Sequence, residues 1–203
     1  MKNKPNASQR PVYNIHTLSN GIRVVHKQSS SPVAHCGIII NTGSRDESPE
    51  EQGIAHFIEH VIFKGTTNRK AFHILSYMEN VGGELNAYTS KEETAIYASF
   101  MTPYYSRCLE LLSDITFNSV FPLKEIEKEK DVVIDEINSY KDTPSEQIMD
   151  DFDELIFKDH PMGMNILGTP ANLKKFSRNT ILDFMDRTYA TDQMALCSVG
   201  NIE

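Results

Sequence analysis

The residues of this sequence best suited to chemistry are two histidines, at positions 56 and 60, and a glutamate at position 59. His56 and His60 lie four positions apart, and Glu59 directly precedes the second histidine. On an α-helix, residues at these spacings share one face, so both imidazoles and the carboxylate point to a common spot. Neutral imidazoles are good zinc ligands, and a carboxylate beside them can accept a proton from a water molecule that the metal activates. The pattern therefore predicts a zinc site with His56 and His60 as ligands and Glu59 as general base.

The residues around this trio are almost all apolar. A helix with such flanks is buried nearly all round, and the three polar side chains form its only central polar stripe. Burying them costs several kcal/mol unless they are paired, and a metal ion pairs with them directly. The alternative is that two satisfied core histidines lie beside an unrelated carboxylate. The apolar neighbours are Ile54, Ala55, Phe57, Ile58, Val61, Ile62 and Phe63.

A catalytic zinc ion usually has three protein ligands, so a third must come from elsewhere in the chain. Residues 123–140 have helical periodicity, and within them Glu129 and Glu136 are separated by almost two full turns. Both carboxylates fall in the apolar arc of that helix. We expect Glu136 to be the third ligand and Glu129 to accept a hydrogen bond from the far ring nitrogen of a ligating histidine. The alternative is that one of the two carboxylates extends out to solvent.

Capping signals predict how the motif helix is positioned. We expect it to begin at Ser48, with Pro49 in the first turn and Glu51 completing a capping box. Gly65 is expected to end it. The sequence thus predicts one helix that starts well before the two histidines.

The remaining elements follow from periodicity and turn residues, and Asn20-Gly21 marks a hairpin turn. Strands cluster early and helices late, so the chain is predicted to be a single α+β domain over residues 1–203. The predicted strands are 12–18, 22–27, 33–41, 84–89, 94–101 and 194–200, and the further helices are 71–80, 105–118, 123–140, 147–157 and 179–189.

The helix predicted at 147–157 is rich in acids. Its apolar residues, Ile148, Phe152 and Leu155, are expected to face the core, with the acids on the solvated side. The alternative is that the acids line a chamber that attracts basic peptides. The acids are Asp150, Asp151, Asp153 and Glu154.

Composition excludes several classes of protein. The 203-residue chain has a net charge of −8, which argues against a nucleic-acid binder. No apolar run is long enough for a membrane span, and residues 1–5 lack the apolar core of a secretory signal. Cys36, Cys108 and Cys197 are odd in number and widely spaced, so we expect reduced thiols and a cytoplasmic location.

The sequence resembles the pitrilysin and mitochondrial processing peptidase family of zinc peptidases, the inverzincins. That family carries an H-x-x-E-H motif, matched here by residues 56–60, and a glutamate 76 positions after the second histidine, matched by Glu136. Glu129 completes the family's E-x6-E pair. The processing-peptidase branch is the most similar. Further correspondences run in order through Asn20-Gly21, 43–47, Gly53, 63–66, 82–90, His160-Pro161, Gly168-Thr169 and 199–201.

The resemblance implies a fold and a way of binding substrate. The fold would be α+β, with a mostly antiparallel sheet, helices packed on one face and one zinc ion per chain. Asn86 and Ala87 would lie on an edge strand beside the zinc, where an extended peptide adds as another strand. The small Ala87 side chain allows a close approach. The alternative for Asn86 is a side chain that bonds its own backbone.

The implied function is a zinc-dependent endopeptidase acting on peptides or unfolded polypeptides. The alternative is a non-catalytic binding or assembly subunit on the same fold, although such members typically lack parts of the motif that is complete here. The family also has a second, related domain. We therefore expect residues 1–203 to be the amino-terminal part of a longer parent, weakly active or inactive alone. The surface left uncovered could then pair two copies as a homodimer.

Overall fold

A computed structural model describes residues 13–202, and its centre is a six-stranded sheet. The strand order is β1-β2-β6-β3-β5-β4, with every neighbouring pair antiparallel except β2 and β6. This confirms the predicted mostly antiparallel sheet and places β4 at one edge. Val12, part of the first predicted strand, lies outside the described residues. The strands are β1 (Asn14–Thr17), β2 (Arg23–Gln28), β3 (Val33–Ile40), β4 (Glu84–Thr89), β5 (Thr94–Met101) and β6 (Met194–Gly200).

Seven α-helices occur within residues 13–202, and six of them match predicted segments. The exception is α6, which is too short to show a helical period; Thr169 caps it by accepting the Asn172 N–H, and Pro170 is its first residue. The helices are α1 (Ile54–Val61), α2 (Ala71–Glu79), α3 (Tyr105–Asn118), α4 (Leu123–Lys141), α5 (Pro144–Ile156), α6 (Pro170–Leu173) and α7 (Arg178–Thr188).

The core lies between the sheet and the helices that cover one of its faces. Along β3, Ala34 and Cys36 are buried on that face, whereas Val33 and His35 point to the open face. Helix α1 is the most deeply buried helix and contacts both β4 and α4. Each fully buried side chain of this kind stabilises the fold by about 1.5–3 kcal/mol relative to exposure, so α1 is firmly held. The predicted α+β class is confirmed.

The start of α1 differs from the prediction. Residues 49–53 form turns, and the helix begins at Ile54. Half of the predicted capping box exists, because the Glu51 side chain accepts the Ser48 N–H at 3.1 Å. However, Gly53 has a φ of +95°, which breaks the helical path between that box and the motif. The box therefore stabilises a turn rather than the helix itself.

The orientation predicted for α5 is wrong. Its apolar stripe is exposed, with Leu155 at 80%. Two of the acids instead face the protein: Asp150 accepts a hydrogen bond from the Asn165 Nδ2 at 2.7 Å, and Asp153 pairs with Lys91 at 2.9 Å. Amphipathic periodicity gives the two faces of a helix but not which one finds a partner. The rest of the exposed stripe is Ile148, Met149, Phe152 and Ile156.

Membrane-spanning helices and the state of the cysteines were both considered from the sequence. Between residues 13 and 202, no helix combines the length and the hydropathy required to cross a membrane. Cys36 and Cys108 are buried, Cys197 is partly exposed, and all three are free thiols.

Candidate metal centre

Helices α1 and α4 bring His56, His60 and Glu136 together. The two Nε2 atoms are 3.3 Å apart, and the Glu136 Oε2 lies 3.3 Å from the His60 Nε2 and 3.7 Å from the His56 Nε2. A tetrahedron with zinc–ligand bonds of about 2.0–2.1 Å has edges of about 3.3–3.4 Å. The three donor atoms are therefore spaced as three corners of a zinc coordination sphere, and the donor set of two imidazoles and one carboxylate suits that metal.

The imidazole of His56 is held in the form that binds a metal. Burial lowers the pKa of His56 to about 3, and the neighbouring His60 adds to this effect. The ring is therefore neutral near pH 7 and can offer a nitrogen lone pair to a metal. Its buried Nδ1 finds no hydrogen-bond partner among the described residues. Metal coordination through Nε2 would offset the cost of burying this polar ring.

Glu129 lies on the far side of the His60 ring. Its Oε2 is 3.4 Å from the His60 Nδ1, a position from which it can accept the Nδ1–H and leave Nε2 free for metal. Its Oε1 is 2.7 Å from the Nζ of Lys64, which neutralises this nearly buried carboxylate. The placement fits the predicted role of Glu129, which stays a prediction, as do the roles of the three ligands. Lys64 was not foreseen, because its partner lies 65 positions away in the sequence.

Glu59 projects from α1 into a cleft that it shares with His56. The cleft has a volume of about 240 Å³ and is also lined by residues of β4 and of the chain around Asn165. Burial raises the pKa of the Glu59 carboxyl. A carboxylate beside the ligand cluster with an elevated pKa is suited to proton transfer.

Asn86 and Ala87 lie on β4, the edge strand that contacts α1. Ala87 is buried at 8%, and Asn86 is exposed. The Asn86 Oδ1 accepts the Ala87 N–H at 2.9 Å, which is the backbone contact that the sequence left open as an alternative. The edge position agrees with the expected role in peptide binding, and the side-chain contact would have to yield when a strand adds there.

Comparisons with known proteins place this chain in a family. The profile described as insulinase, peptidase family M16, matches residues 23–170. The uncharacterized zinc protease YmxG of Bacillus subtilis is 37% identical over 188 residues, which cover 92% of this chain and 46% of that protein. The mitochondrial-processing peptidase subunit beta of Saccharomyces cerevisiae is 36% identical over 198 residues, covering 97% of this chain and 43% of the relative.

Solved structures show the same fold. A protease from Helicobacter pylori superposes with a TM-score of 0.90 at 26% identity, covering 95% of this chain and 47% of that one. Pitrilysin superposes with a TM-score of 0.86 at 21% identity, covering 97% of this chain and 22% of its own. The chain thus spans somewhat less than half the length of the curated relatives it matches.

Proposed function

Because this chain belongs to the insulinase family, peptidase family M16, we propose that it is the zinc-binding part of an endopeptidase that cleaves extended polypeptides. The observation that carries the proposal is the spacing of the donor atoms of His56, His60 and Glu136, which suits a tetrahedral zinc ion. Relatives named as zinc proteases support the same metal.

We propose that Glu59 acts as the general base and then as the general acid. When bound, zinc supplies Lewis acidity, which polarises a peptide carbonyl and makes a water molecule more acidic. Glu59 lines the same cleft as His56, so it can accept a proton from that water and pass it to the departing amine. Burial favours its protonated form, which suits a group that must hold a proton between the two steps.

The remaining groups position the reacting ones. The Glu129 Oε2 lies 3.4 Å from the His60 Nδ1, so it would accept the Nδ1–H and thereby fix the tautomer and the direction of the Nε2 lone pair. Lys64 pairs with Glu129 at 2.7 Å and holds it in place. His56 stays neutral through burial. Together these residues keep the donor atoms pointed at one spot before substrate arrives.

The proposed substrate is an extended peptide that adds to the open edge of β4. Main-chain pairing with an edge strand does not depend on the side chains of the peptide, so it suits unfolded polypeptides of varied sequence. A carbonyl oxygen of the incoming strand would compete with the Asn86 Oδ1 for the Ala87 N–H. The displaced Asn86 amide could then bind the peptide.

We propose that a second half, of the size that relatives possess, encloses the substrate. The relatives are about twice as long as this chain, and a single domain supplies only one wall of a reaction chamber. Hydrolysis needs near-attack geometry and exclusion of bulk water. A subunit that only binds polypeptide needs neither Glu59 nor a full set of ligands, so the complete set supports catalysis over the non-catalytic alternative.

Two measurements test the proposal. The purified chain should contain one zinc ion, and Glu59→Gln in the longer parent should keep that zinc while peptide hydrolysis falls by about 10²–10⁴-fold. Glu127→Gln, an exposed acid on α4, is the matched control and should change neither. A zinc-free wild-type chain would contradict the metal assignment, and full turnover by Glu59→Gln would contradict its role as base.

A further inference from the structure

Glu47 is a buried carboxylate that the proposed reaction does not use. It is 4% exposed, and burial raises its pKa to about 8. Both of its oxygens accept backbone hydrogen bonds at 2.8 Å: Oε2 from the Gly53 N–H and Oε1 from the Ala55 N–H. These bonds offset the cost of burying an acid. They also tie Glu47 to the first turn of the helix that carries both histidines.

The residue at the N-cap position of α1 has no side chain with which to cap the first turn of the helix. Helix starts leave backbone N–H groups without partners, and a polar side chain at the N-cap position normally satisfies one of them. Here the N-cap residue is Gly53, whose φ is +95°. A Cβ at this position would lie 2.7 Å from the Gly168 Cα, so the site excludes any side chain. Glu47 supplies the missing acceptors from six positions upstream.

The segment that carries Glu47 is itself fixed to the turn after the edge strand. The Ser44 N–H donates to the Ser90 carbonyl at 3.2 Å, and the Arg45 N–H donates to the Lys91 carbonyl at 2.9 Å. The approach is close enough that a Cβ at Gly43 would lie 2.4 Å from the Ser90 oxygen. Residues 43–47 therefore form a short bridge between the β4–β5 turn and α1.

We infer that Glu47 is a positioning residue for the metal centre. Through its two bonds to the first turn of α1, it fixes His56 relative to Glu136 on α4 and to the edge strand β4. The inference rests on the proposed function, because it takes His56 as a ligand. Of the three distances between donor atoms, the one between His56 and Glu136 is already the longest, at 3.7 Å. A displacement of the start of α1 would therefore lengthen this distance first.

Glu47→Gln and Glu47→Ala test the inference, with Ser177→Ala as the matched control. Glutamine keeps the shape but turns an NH2 group toward one of the backbone donors, and alanine removes both acceptors. The Ser177 Oγ accepts the Thr180 N–H at the start of α7, so its loss also removes a cap, but on a helix that carries no ligand. The readouts are zinc affinity by competition with a chelator, the visible spectrum of the cobalt-substituted protein, and the melting temperature.

We expect Glu47→Gln to weaken zinc by about tenfold, the lower end for groups that act through a ligand, and to alter the cobalt spectrum. Ser177→Ala should lower the melting temperature and leave both metal readouts unchanged. In the longer parent, Glu47→Gln should lower kcat more than it raises KM, since a misplacement of about 1 Å costs about 100-fold in rate.

The outcomes that would overturn this inference can be told apart from those that would overturn the proposed function. If Glu47→Gln lowers the melting temperature as Ser177→Ala does but leaves zinc affinity and the cobalt spectrum unchanged, Glu47 is only a cap and the inference is overturned. If Glu47→Ala does not fold, the zinc affinity and cobalt spectrum of Glu47→Gln test the inference without it. A wild-type chain that binds zinc while Glu47→Gln binds it equally well overturns this inference but not the proposed function. A wild-type chain that binds no zinc overturns both.

Discussion

Replacing each of the two glutamates of α4 by glutamine should separate a ligand from a group that orients one. A structural zinc site with four ligands contributes about 10–16 kcal/mol, or roughly 2.5–4 kcal/mol per ligand. Glu136→Gln should therefore weaken zinc by about 10²–10³-fold, since each tenfold step is about 1.4 kcal/mol. This change removes the negative charge and leaves a weaker neutral donor in place of the oxygen that lies 3.3 Å from the His60 Nε2.

Glu129→Gln should cost less, for reasons visible in its contacts. The amide oxygen can still accept the His60 Nδ1–H, and Lys64, which is 28% exposed, can turn to solvent once its partner is neutral. We therefore expect a loss near the lower end of the usual 10–100-fold range for such groups, about tenfold.

Chelator competition followed by metal analysis would measure both variants, with Glu127→Gln as the control for a neutralised α4 acid. A zinc affinity for Glu129→Gln equal to or below that of Glu136→Gln would refute the assignment and reverse the roles of the pair.

Three further predictions concern the same centre. His60→Ala should lose most of the bound zinc on metal analysis, because it removes both a ligand and the partner of Glu129; equal zinc in variant and wild type would refute the site. In the metal-free chain, the contribution of His56 to the free energy of unfolding should fall as the pH drops from 6.5 toward 3, because the pKa of His56 is about 3 when folded and near 6.5 when unfolded, so this residue binds more protons in the unfolded chain in that window. Urea titrations with a chelator should show that the stability of the wild type relative to His56→Gln falls over this range, and a constant difference between the two would contradict it. Finally, residues 1–203 alone should hydrolyse a fluorogenic peptide far more slowly than the proposed longer parent at equal zinc loading, and comparable rates would show that the proposed second half is dispensable.

The sequence could predict that His56, His60 and Glu136 lie together, because helical spacing decides which residues share a face. His56, Glu59 and His60 share a face by helical spacing alone, and Glu129 and Glu136 share one by the same rule on a second helix. The sequence could also predict that these two faces meet, because each carried polar groups inside an apolar arc. Most element boundaries were equally local, since they depend on turn residues and periodicity.

The parts that the sequence did not predict depend on contacts between distant residues. Glu47 looks like an ordinary surface acid until Gly53 is seen to lack room for a capping side chain. Lys64 looks like a helix-end charge until Glu129 approaches it. The apolar stripe of α5 was assigned to the core because periodicity defines a face without identifying its partner.

The positions of the proposed ligands on two helices have a mechanical consequence. His60 and Glu136 lie 76 positions apart, and between them run α2, the edge strand β4, β5 and α3. A metal ion held by both would tie together the two ends of this stretch in the folded chain. Zinc would bind the folded chain, where the donor atoms already lie together, far better than the unfolded one, so its binding free energy would add to the stability of the fold. A chelator that stops the chemistry would therefore also loosen the strand on which the peptide is expected to dock.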